Sequence, residues 1–110
     1  MDNKNQFELI ITVVNRGYSD VVVEEARNAG ATGGTIIYGR GTSKKEQDKL
    51  LGVSIEPEKE LIMTLAQSNN KDKIMRAICE NGQVEAPGVG ICFSLPVTSV
   101  RGISSYKNND

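Results

Sequence analysis

The chain has 110 residues, 38% hydrophobic and 25% charged, with a formal net charge of -1 and no His or Trp. That length suits one domain over 1–110, burying roughly two-thirds of its unfolded surface without staples. The balanced charge gives no overall attraction to nucleic acid or anionic membrane, the few aromatics argue against base-stacking platforms, and the missing His removes the commonest general base and metal ligand.

The longest apolar runs fall far short of the ~20 residues of a membrane span. Met1–Gln6 is polar, with no charged-then-apolar leader. The expectation is a soluble cytoplasmic protein with flexible ends at 1–6 and 104–110. Phe7–Val14 is a continuous apolar run and reads as a strand buried on both faces. Asn15-Arg16-Gly17-Tyr18 breaks it, and Ser19 then caps a helix running to about Ala29. Val22, Ala26 and Ala29 form its inner stripe, and Asp20 suits its positive end. Gly30 stops it.

Five glycines fall between Gly30 and Thr42, and they bracket the apolar run Thr35–Tyr38, read as a buried second strand. Residues 41–56 follow as a long, polar, mobile loop with a short helical turn around Glu46–Leu51. A charge run such as Ser43-Lys44-Lys45-Glu46-Gln47-Asp48-Lys49 is often plain solvated surface. A loop this long in so small a domain is more often functional or disordered. Glu58–Gln67 reads as the third strand. Ser68-Asn69-Asn70 offers a cap for a helix over Lys71–Asn81, with Ile74, Met75, Ile78 and Cys79 facing inward and Gly82 ending it. Gln83–Gly90 is a second glycine-bearing loop, Ile91–Val97 the fourth strand, and Val100–Ile103 a possible short fifth. Cys79 and Cys92 sit in apolar stretches and read as buried free thiols.

The halves repeat at an offset of 52 residues: Glu8-Leu9-Ile10-Ile11-Thr12 matches Glu60-Leu61-Ile62-Met63-Thr64, Asp20 matches Asp72, and Gly30 matches Gly82. Two strand–helix–strand units in tandem give an α+β, ferredoxin-like βαββαβ sandwich, a four-stranded antiparallel sheet with both helices on one face. The second face has nothing in so short a chain to cover it. Covering about eight apolar side chains is worth on the order of 10–20 kcal/mol gross, so a homo-oligomer is expected.

Gly34-Thr35…Gly39-Arg40-Gly41, then Gly88-Val89-Gly90 entering Ile91-Cys92-Phe93, then Pro96-Val97…Val100-Arg101-Gly102-Ile103 stand in order on that frame. In this the chain, over about residues 7–103, resembles the P-II nitrogen-regulatory signalling family. The resemblance implies a non-enzymatic homotrimer. It would bind an adenine nucleotide (ATP, ADP or AMP) or related anion between subunits, and its long loop would dock onto a protein partner. It places Thr35 at the adenine, Gly39, Arg40, Gly41 and Thr42 along the phosphates, Gly88, Val89 and Gly90 in a second phosphate loop, and Arg101 on the phosphates. Ser43, Lys44, Lys45, Gln47 and Lys49 become the docking loop. No obligatory cofactor and no metal site are implied.

The chain departs from the pattern at several positions. Residues 85–90 carry no Lys, Ile103 stands where a second basic residue is expected, and Ser43 stands near the position of the Gln that holds magnesium and 2-oxoglutarate. Neither of those ligands is therefore carried over. The loop has no Tyr for nucleotidylation; Ser43 and Ser54 are bare candidates for phosphorylation. Two alternatives stay open. One is a CutA-like trimeric structural or metal-tolerance protein without nucleotide. The other is a small enzyme using Glu56, Glu58 and Glu60, although nothing pairs a nucleophile with a base.

Overall fold

The computed structural model describes residues 6–42, 49–50, 53–54 and 57–103. The elements run β1 (Phe7–Asn15), α1 (Ser19–Asn28), β2 (Thr35–Arg40), β3 (Lys49–Leu50), β4 (Val53–Ser54), β5 (Glu58–Gln67), a 3₁₀ turn (Ser68–Asn70), α2 (Lys71–Arg76) widening into a π turn (Ala77–Asn81), and β6 (Gly90–Val97). The sheet order is β2-β5-β1-β6, every pair antiparallel, with β3 and β4 as a separate hairpin. This is the expected βαββαβ sheet with one small hairpin added. The helical turn expected around Glu46–Leu51 is contradicted at Lys49–Leu50, which pair with Val53–Ser54 as strand; its remainder lies outside the described residues.

Strand alternation sorts the sheet into two faces. Ile10, Val14 and Ile62, with Thr12 and Thr64, are 0–1% exposed and pack under the helices against Val22, Ala26, Ile74 and Ile78. Met75 and Cys79, also expected inside, are only partly buried. Val84 from the second glycine loop plugs the same core. The opposite face carries three registered rows: Ile37–Leu61–Val13–Ile91, Thr35–Met63–Ile11–Phe93 and Leu65–Leu9–Leu95. Ile37, Ile91, Phe93 and Leu95 keep 41–60% of their surface exposed. From Ile10 to Val14 β1 is thus buried on its helix face, while Leu9, Ile11 and Val13 on the other face are only partly buried, not sealed on both as its apolar run predicts.

Three local readings are corrected. Ser19 is the first residue of α1 and not its cap, a place that Tyr18 takes; the Ser19 backbone N–H donates to Glu60 Oε1 at 3.0 Å, so a carboxylate from β5 caps α1. Nor does Asn70 cap its own helix; its Nδ2 donates to Ala29 O at 3.2 Å and closes the end of α1. The space it fills is open because Gly30, at φ +115°, has no Cβ, which would stand 2.5 Å from that Nδ2. Finally, β2 is an edge strand whose Ile37 and Tyr38 are exposed. Among the described residues it pairs with β5 alone, so its run of apolar residues is not a buried one. Residues 98–103 form no strand, with Gly102 in the left-handed region at φ +85°.

Candidate functional site

β5 begins at the end of the sheet where β1 stops, and there the charged residues gather. Gly39 lies opposite Lys59 and Arg40 opposite Glu58 in the β2–β5 register, and Asn15 faces Lys59 from β1. The ladder continues one step, with Gly41 N–H donating to Pro57 O at 2.7 Å. Lys59 Nζ donates to Asn15 Oδ1 at 2.7 Å, and Asn15 Nδ2 donates to Gly88 O at 2.7 Å. The Asn15 backbone N–H donates to Val89 O at 3.1 Å. The two glycine segments leave opposite edges of the sheet, about three strand spacings or ~14 Å apart. The Lys59–Asn15 bridge spans that interval.

A cleft of about 780 Å³ opens at this end, lined by Arg16, Tyr38, Gly39, Arg40, Glu58, Lys59 and Glu60. Its size is that of a small-molecule site. Arg16 is ion-paired with Glu58, and its backbone N–H donates to Glu58 O at 3.1 Å. Glu60, 5% exposed, is held below the usual carboxylate range by its hydrogen bonds to Ser19, against the opposing effect of burial. Glu58 is therefore engaged in an ion pair and Glu60 in a helix cap. Glu56 lies outside the described residues.

Of the nine residues expected around a nucleotide, Gly39, Arg40, Gly41, Gly88, Val89 and Gly90 stand at this end, and Thr42 directly follows Gly41. Thr35 and Arg101 do not. Thr35 opens β2, ~17 Å from Arg40 at ~3.3 Å per residue, and shares a cleft of about 360 Å³ with Gly102 and Ile103 over Leu9, Met63 and Leu65. Gly90 also has a structural task, since a Cβ there would meet Val13 O at 2.2 Å. Gly39 has open space around it. Ser43, Lys44, Lys45 and Gln47 lie outside the described residues, and Lys49 begins β3. Sequence reading left out Asn15, Arg16, Tyr38 and Lys59. Asn15-Arg16 reads as a strand break, and only the register shows what that break sits beside.

Both cysteines are free and partly buried. Burial, with Cys92 beside it, pushes the Cys79 thiol up to about 11, and burial raises Cys92, whose Sγ lies 3.5 Å from Thr12 Oγ1. Neither is an activated nucleophile. Among the described residues no cluster of His, Cys, Asp or Glu has the makings of a metal site, and no helix is long and apolar enough to cross a membrane.

The fold is shared with PII of Arabidopsis thaliana bound to citrate (TM-score 0.71, 19% identity, covering 93% of this chain and 84% of that one). It is shared also with a putative PII-like signalling protein of Thermus thermophilus (TM-score 0.62, 21% identity, 84% and 88% covered). None of the curated proteins matches the sequence. The family model described as nitrogen regulatory protein P-II matches residues 7–107, nearly the whole described fold and both glycine segments, and the chain therefore belongs to the nitrogen regulatory protein P-II family.

Proposed function

We propose that this protein is a non-enzymatic cytoplasmic signalling trimer of the P-II type. It takes a small polyanion, an adenine nucleotide or a related carboxylate-rich metabolite, beside Gly39–Thr42 and Gly88–Gly90. It reports occupancy through residues 41–56 to a protein partner. The observation that carries this reading is the convergence of both glycine segments on one end of the sheet, linked through Asn15. Backbone N–H groups at glycines approach oxyanions without side-chain obstruction, and basic residues nearby supply charge. Citrate in the Arabidopsis protein is an anion of this kind. Thr35, at the far end of β2, and Arg101, beyond the far end of β6, stand away from Gly39 within one chain. A site using all nine residues is therefore one completed by a second copy.

Calorimetric titration of the purified protein with ATP, ADP, AMP and citrate tests the reading. Saturable binding of at least one, with stoichiometry near one per chain, is expected. A folded protein that gives no heat with any of the four contradicts it.

A further inference from the structure

We propose that Lys59 is the cation that grips the anionic group of the ligand, and that Asn15 is the residue that positions it. The inference rests on the functional reading above and adds to Arg40 of the first glycine segment a cation from outside both segments. Residues 85–90 contain no lysine, so that loop offers backbone donors and no cation of its own.

Lys59 is placed to supply one. Its cross-strand partner on β2 is Gly39, so no side chain stands opposite its stem. The stem passes Gly41 instead, where an added Cβ would come within 2.9 Å of Lys59 Cε. The ammonium then reaches Asn15 Oδ1, whose amide holds Gly88 O with its other end. These two bonds fix the amide's orientation, because an ammonium only donates and a carbonyl only accepts. Lys59 thus lies between the two glycine segments with one of its three N–H donors engaged by Asn15.

Its charge has no ion-pair partner among the described residues, whereas Arg16 is taken up by Glu58. A half-buried ammonium with a neutral partner and glycine backbone on either side is suited to a multiply charged oxyanion. A compact point charge, unlike a guanidinium fork, accepts phosphate or carboxylate in varied orientation.

The test is calorimetry with ATP and with inorganic tripolyphosphate on the full chain. Lys59→Gln should weaken both about ten- to hundredfold, the range for a charge-assisted hydrogen bond, and Lys59→Arg should retain part of the affinity. Asn15→Ala should weaken binding less, and should add nothing in a Lys59→Gln background, a non-additivity that a merely structural role would not produce. Saturating tripolyphosphate should also protect Lys59 of the unaltered protein from acetylation, read by mass spectrometry, a measurement needing no variant. Full affinity in Lys59→Gln, or an unprotected Lys59, overturns this assignment and leaves the functional reading standing. No binding of either probe by the unaltered protein, with none for the other nucleotides or citrate, overturns both.

Discussion

Glu60 is a charge inside a strand that the fold uses as a helix cap. Its Oε1 accepts from the first backbone N–H of α1, where the positive end of the helix favours an anion. Because folding lowers its pKa, its contribution is fully present above the ordinary glutamate range and is lost as pH falls through that range toward the lower native value. Glu60→Gln should therefore cost about 1–2 kcal/mol at pH 7, and urea melts should show the gap from the unaltered protein narrowing below about pH 4. A gap that is unchanged at low pH would mean that charge is not what Glu60 supplies. Ser19 is a sound cap by local sequence rules, and those rules carry no information about a carboxylate 41 positions away. The alternation Glu56, Glu58, Glu60 was legible; that Glu60 turns beneath α1 depends on packing.

At the scale of the elements, the repeat was the most legible feature, because strand and helix periodicities are local and the glycine stops recur with them. β2 reads as buried for the converse reason: Thr35-Ile36-Ile37-Tyr38 has the composition of a central strand, and only sheet order makes it an edge. The glycines divide along the same line. Gly82 and Gly90 are demanded by packing, with an added Cβ 2.5 Å from Ile78 O and 2.2 Å from Val13 O. Gly39 is not so constrained. Gly90→Ala should then cost about 2 kcal/mol or more through a shift of β6 against β1, while Gly39→Ala should stay within about 0.5 kcal/mol. Thermal melts of the two variants side by side decide the matter. A Gly90→Ala protein as stable as the parent would show that β6 yields at no cost, and that Gly90 serves the site alone.

For the whole molecule, the open sheet face is the feature that a single chain leaves unsettled. Its three apolar rows include Ile37, Ile91, Phe93 and Leu95, each 41% exposed or more, and a contiguous apolar surface of this kind marks an interface. Burying it against other copies is worth an amount comparable with the net stability of the domain, about 5–15 kcal/mol. It would also bring the strand ends of neighbouring chains together, supplying the distance that separates Thr35 and Arg101 from Gly39 within one chain. A charge at the centre of the face tests this. Phe93 lies beside Ile11 in the middle row, and Phe93→Asp places a carboxylate where no partner awaits it. Light scattering should report the trimer mass for the unaltered protein and the single-chain mass for Phe93→Asp. Tyr38→Asp is the control: it alters a side chain 73% exposed on the other face of β2, so the trimer mass should persist. A monomeric parent removes the assembly outright. A Phe93→Asp trimer keeps the assembly but moves its interface off this face, and the proposed anion site would then have to be sought on a different seam.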